Sequence, residues 1–110
     1  MRVTVAVATV LQSFLADPTE ERYGYDLMRQ CRMGSSKLYP ILDRLEKAGW
    51  LHRAREALDP VVAGRPPRVL YRLTAEGQRA ARLELAALTE QLRVSAKSRS
   101  GLRPQWGGAR

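Results

Sequence analysis

The stretch S-S-K-L-Y-P-I-L-D-R-L-E-K-A-G-W-L, Ser35 to Leu51, decides the fold. Leu38, Ile41, Leu42 and Leu45 recur at helical spacing and make one apolar stripe. The spacing predicts a helix from Ser35 or Ser36 to Ala48. Either serine can cap its first turn by accepting a backbone N–H bond. Pro40 lies near that first turn, where few N–H groups are needed within the helix. Gly49 suits the left-handed residue that closes a helix. The face opposite the stripe carries Lys37, Arg44 and Lys47, with Asp43 and Glu46 nearby.

Downstream, Trp50 to Ala57 alternates loosely and reads as a strand. Leu58 to Arg68 holds Pro60, Gly64, Pro66 and Pro67, which reads as a loop without helix. Val69 to Thr74 reads as the return strand, with Val69, Tyr71 and Leu73 on one face. The loop ends on Arg65 and Arg68. Thr74 can cap a following helix, Ala75 to about Val94, with Glu76 in its first turn. In that helix Ala81, Leu85, Leu88 and Leu92 form a short heptad stripe, too short for a coiled coil of its own but suited to packing on another helix.

Upstream, Tyr23, Leu27, Met28 and Cys31 predict an amphipathic helix over Arg22–Arg32, followed by a turn at Met33-Gly34. Before it, Val3 to Ala16 has an apolar face of Val3, Val7, Val10, Leu11, Phe14 and Leu15. Val5, Ala6 and Ala8 make its other side apolar too. A helix apolar on most sides must be buried on most sides, here by its own core and by a second chain. Asp17-Pro18 ends it.

The chain has 110 residues and a net charge of +8, the size of one domain with an affinity for anions. Half of that excess lies in residues 95–110, where Lys97, Arg99, Arg103 and Arg110 stand without an acid; this segment reads as a disordered basic tail. Cys31 is the lone cysteine, which excludes an intrachain disulfide and fits a reducing, cytoplasmic setting. No apolar run reaches membrane-spanning length, and no signal peptide is expected. His52 lacks the further ligands a zinc site needs. No nucleophile elbow, dinucleotide loop or phosphate loop is present, so neither an enzyme nor a cofactor is expected.

The order helix, helix, helix, strand, basic loop, strand, helix is that of a winged helix-turn-helix. The expected fold is mainly α with a two-stranded β-wing and one C-terminal dimerisation helix. Residues 1–74 would form the DNA-binding domain, 75–94 the dimerisation helix and 95–110 the tail. Y-G-Y-D-L (Tyr23–Leu27), L-Y-P-I-L-D-R-L-E-K-A-G-W-L (Leu38–Leu51) and G-R-P-P-R-V-L-Y-R-L-T-A-E-G (Gly64–Gly77) resemble the PadR family of transcriptional regulators. The resemblance covers roughly residues 8–92. It implies a homodimeric DNA-binding protein, usually a repressor, dimerising through its C-terminal helix with help from the first helix. It also implies that an apolar small molecule can shift the dimer between DNA-competent and incompetent geometries. Family members commonly carry Gly-Thr or Gly-Ser before Leu-Tyr-Pro; here Ser36-Lys37 stand there, which implies a different base preference. Only one helix follows the wing, as in the shorter-tailed members of the family.

On this reading Tyr23, Ser35, Ser36, Lys37, Tyr39, Arg44, Arg65 and Arg68 are the candidate contacts to double-stranded DNA. One of Tyr23 and Tyr25 belongs to the core, and the other can reach a phosphate through its hydroxyl. Val7, Val10, Phe14, Ala81, Leu85, Leu88 and Leu92 are the candidate dimer contacts. Cys31, Met28, Met33 and Trp50 are read as packing residues. Two other function classes compete: a winged-helix protein-interaction module, which would expose apolar residues on the third helix and the wing, and a non-specific nucleic-acid binder driven by the tail.

Overall fold

The computed structural model describes residues 1–101, with side-chain surroundings to residue 98. Some of the helices begin where a side-chain oxygen accepts one of the free first-turn N–H groups. Helix α1 spans Val5–Leu15, and the Thr4 hydroxyl accepts from the Val7 N–H at 3.2 Å. Strand β1, Arg22–Tyr23, runs directly into α2, Gly24–Cys31. Arg32 closes α2 in the left-handed region at φ 54°. Helix α3 spans Ser35–Lys47, and Gly49 follows it at φ 82°. Strands β2 (Leu51–Arg55) and β3 (Val69–Leu73) form the hairpin, with a single helical turn α4 (Pro60–Ala63) between them. Helix α5 spans Ala75–Gly101.

The sheet is antiparallel in the order β1-β3-β2. Leu51 pairs with Leu73 and Arg55 with Val69 across the hairpin, while Arg22 pairs with Tyr71 on the far side of β3. The wing is therefore three-stranded. Two residues with no alternating pattern gave no strand signal, and the Arg22–Arg32 helix predicted from sequence starts two residues later, at Gly24.

The core is one cluster. Leu27, Leu38, Leu42 and Leu45 are sealed within it, joined by Ile41, Trp50, Leu51, Tyr71 and Leu73. Val7, Val10 and Phe14 are at most 1% exposed inside this same cluster. These three, expected from sequence as dimer contacts, are thus packed in the chain's own core. Ala81 is likewise fully buried, anchoring α5 against the core. The outward side of α1 shows Val5 instead, 67% exposed.

Three further expectations change. The loop before β3 contains helix α4 because Pro60 occupies a first-turn position, where proline is favoured; the Asp59 carboxylate caps it and Gly64, at φ 70°, ends it. Helix α5 runs seven residues beyond Val94, to Gly101, so the segment expected to be tail is helical in its first part; the remainder, 102–110, lies outside the described residues. Gly34, not a serine, holds the N-cap position of α3, with no side-chain cap bond. Thr74 caps α5 as expected, its hydroxyl accepting from the Gly77 N–H at 2.9 Å.

Candidate nucleic-acid interface

Because Gly34 serves as the cap, the first turn of α3 keeps its side chains free. Ser35, Ser36 and Lys37 are all exposed there. Neither serine hydroxyl is spent on a helix N–H. Arg44 is exposed about two turns further along. Lys47 is paired with Asp43 at 2.9 Å on the exposed face of the helix, which raises the lysine pKa. Tyr39 is part-exposed, and its hydroxyl end rests against Gly24 at the start of α2, where any Cβ would collide with it.

The wing is organised around an acid. Glu56 follows β2 and accepts four hydrogen bonds. Arg65 donates from Nη1 to Oε1 at 2.7 Å and from Nη2 to Oε2 at 3.2 Å. The Arg68 backbone N–H donates to Oε1 at 3.2 Å, and the Tyr23 hydroxyl to Oε2 at 3.2 Å. Held by the Arg65 guanidinium first, and then by these other donors, the carboxyl pKa falls to about 2. The Arg68 guanidinium lies 4.9 Å above the Tyr23 ring, a cation–π contact.

Helix α3 and the wing flank a cleft of about 560 Å³. Tyr23, Tyr39 and Arg68 line it, as do Tyr25, Tyr71 and Arg53. The structure thus gathers Tyr23, Tyr39 and Arg68 around one cleft and sets Ser35, Ser36 and Lys37 on the same helix one turn earlier. Arg65 sits beneath, bound to Glu56. Tyr23, at the end of β1, is the more buried of the two tyrosines, and Tyr25, in α2, the exposed one, at 63%.

Sequence reasoning missed Glu56 and Arg53. Their signal was the strand register: Arg53 pairs with Tyr71, and the Glu56 N–H bonds the Arg68 carbonyl at 2.8 Å just past the ladder. An acid directly after a strand in an arginine-rich hairpin is the pattern that could have revealed the first. Elsewhere, Cys31 is buried and its thiol pKa is pushed up by that burial. Along α5, Leu85 packs against the core, Leu88 is half-buried, and Leu92 is exposed like Leu83 and Val94. No group of three metal-ligating side chains occurs among the described residues, and no described helix is long and apolar enough to cross a membrane.

Two helices joined by a short turn, the second with a free amino end beside a three-stranded wing, define a winged helix-turn-helix protein. Residues 13–83 match the transcriptional regulator PadR-like family. The chain belongs to that family of transcriptional regulators. Among solved structures it is similar to a PadR-like transcription factor from Bacteroides fragilis (TM-score 0.65, 22% identity, 86% of this chain and 88% of that one). It is also similar to smu.1704 from Streptococcus mutans (TM-score 0.58, 28% identity, 93% and 91%). A third similar structure is NadR in complex with 4-hydroxyphenylacetate (TM-score 0.60, 25% identity, 86% and 61%). No protein of curated function matches the sequence.

Proposed function

We propose that the chain is a dimeric, sequence-specific binder of double-stranded DNA that represses transcription from the cytoplasm. The observation that carries this is the uncapped, exposed first turn of α3, where Ser35, Ser36 and Lys37 stand free just before Tyr39, which lines one cleft with Tyr23 and Arg68 of the wing. A helix presented by its first turns reads base edges in a major groove while the wing grips backbone. In this reading Ser35, Ser36, Lys37 and Tyr39 read or orient on bases. Arg44 and Arg68 meet phosphates, and Tyr23 acts through Arg68, which it holds on its ring. Leu85, Leu88 and Leu92 form the dimer seam along α5, as the exposure of Leu83, Leu92 and Val94 invites. Two α3 helices would then enter successive major grooves roughly 34 Å apart on a pseudo-palindrome. A small apolar effector would act by binding one dimer geometry better than the other; that the similar NadR is in complex with a small molecule, 4-hydroxyphenylacetate, supports ligand control, though that ligand is a polar acid.

One observation favours the competing interaction-module reading. Val61 and Val62 at the wing tip are 89% and 84% exposed, and residues 57–64 hold no cation. Fluorescence anisotropy on the chain's own upstream DNA against a scrambled duplex, with mass from light scattering, separates the two. A dimer that prefers its own DNA by at least ~10³-fold supports the repressor. Absence of binding to either duplex at low salt supports the module.

A further inference from the structure

We infer that Glu56 is the positioning residue of the wing loop: its carboxylate holds Tyr23, Arg65 and the Arg68 backbone so that Arg68, and not Arg65, is the loop's cation for DNA. The inference rests on the reading of the chain as a DNA binder through α3 and the wing.

A carboxylate offers about four lone-pair sites, and all four bonds are made here by groups from three places in the chain. Tyr23 comes from β1, Arg65 from the loop after α4, and the Arg68 N–H from the residue before β3. Both terminal nitrogens of Arg65 are engaged by Glu56, and Nη1 also meets the Pro66 carbonyl at 3.3 Å. The Arg65 side chain is 35% exposed and that of Glu56 only 16%. The forked pair is therefore closed and internally neutral. Arg68 differs. Its backbone is tied to Glu56 while its guanidinium, with no carboxylate partner among the described residues, is laid on the Tyr23 ring. Tyr23 links the two halves: its hydroxyl fixes the carboxylate, and its face fixes the Arg68 guanidinium.

The inference runs against simple charge counting. An acid beside a phosphate-binding surface repels DNA, so removing it should tighten binding and release Arg65 as an extra cation. Preorganisation makes the opposite statement: without Glu56 the wing loses its frame, and Arg68 must be ordered anew at each encounter.

The test compares wild type, Glu56→Ala, Arg65→Ala, the double variant and Arg68→Ala as full chains. Binding is measured by anisotropy on the chain's own upstream duplex and on a scrambled one across a salt series. Glu56→Ala and Arg65→Ala should each weaken own-duplex binding roughly tenfold, and the double variant should be no worse than either. Their salt slopes should stay at the wild-type value, while Arg68→Ala should lower the slope by about 0.9. Tighter or unchanged binding by Glu56→Ala overturns the inference, as does an Arg65→Ala slope lowered by about 0.9. Should Glu56→Ala fail to fold, the isosteric Glu56→Gln replaces it, with the loss of the Arg65 fork as its expected effect. Amide hydrogen exchange supplies a readout independent of DNA. The Arg68 N–H should be protected in wild type and exposed in Glu56→Ala, with α1–α3 unchanged. Wild type that fails to prefer its own duplex refutes the DNA reading alone; an Arg68 amide as fast in wild type as in the variant refutes the role of Glu56.

Discussion

Replacing Gly77 by alanine should strongly destabilise the chain, although glycine in a helix ordinarily costs about 1 kcal/mol relative to alanine. Gly77 sits in the first turn of α5 against the backbone of Trp50. A Cβ there would meet the Trp50 carbonyl oxygen, with the carbonyl carbon at 2.7 Å and Cα at 2.8 Å. These are backbone atoms of a buried residue, so no rotamer change relieves the collision. The helix must lift. Lifting strains the Thr74 N–H to Trp50 carbonyl bond at 3.0 Å and the Thr74 hydroxyl to Gly49 carbonyl bond at 2.7 Å. Two lost bonds at about 1 kcal/mol each, plus about 1–3 kcal/mol of overpacking, outweigh the helix-propensity gain and leave a net loss of about 2–4 kcal/mol. For a chain of this size that lowers Tm by roughly 10–20 °C. Urea denaturation followed by far-ultraviolet circular dichroism measures it. The control is Gly34→Ala, where a Cβ meets nothing within 4 Å and the change should stay within about 1 kcal/mol. A Gly77→Ala chain as stable as wild type would refute the close-approach argument.

Three other outcomes are expected. Gly24→Ala should leave stability within about 1 kcal/mol, because the obstructing Tyr39 hydroxyl belongs to a flexible side chain; the re-aimed tyrosine should weaken own-duplex binding, and unchanged binding would separate Tyr39 from recognition. Arg32→Gly should raise stability by roughly 0.5–1 kcal/mol in urea titrations, since Arg32 occupies the left-handed region at φ 54° that glycine enters without strain. Glu56, with its pKa depressed from 4.5 to about 2, stabilises the fold above pH 4.5 and loses that contribution as pH falls towards 2. Carboxyl-carbon NMR should show its titration near pH 2, Glu56→Gln should flatten the acid limb of stability, and a midpoint near 4.5 would remove the hub.

The helices of the core were legible because their apolar residues repeat at a single period. The stripe of Leu38, Ile41, Leu42 and Leu45 reads directly as burial. The same pattern in α1 marked Val7, Val10 and Phe14 as buried but could not say by whom. Periodicity measures the wish to leave water, and the partner is settled by tertiary packing. Strand β1 was invisible because Arg22 and Tyr23 become a strand only when β3 arrives beside them. Pro60 was read as a breaker of helix when its position made it a starter. Residues 95–101 carry no stripe, yet they continue α5, since extending an existing helix is far easier than nucleating one. At the interface, exposed cations could be named from sequence. Which cation is already occupied could not, because the pairing of Arg65 with Glu56 depends on how the wing loop returns.

The two-residue strand β1 also orders events during folding. Helices α1 to α3 are built mainly from contacts between neighbours in sequence, which close quickly. The pairing of Arg22 with Tyr71 spans everything from the start of the helix-turn-helix to the end of the wing, so its loop-closure entropy falls due only after the hairpin exists. The entrance to α2 is therefore fastened only after the hairpin. Substitutions at Arg22 or Tyr23 would accordingly act on the rate of unfolding more than on the rate of folding, giving the wing a kinetic hold on the recognition helices.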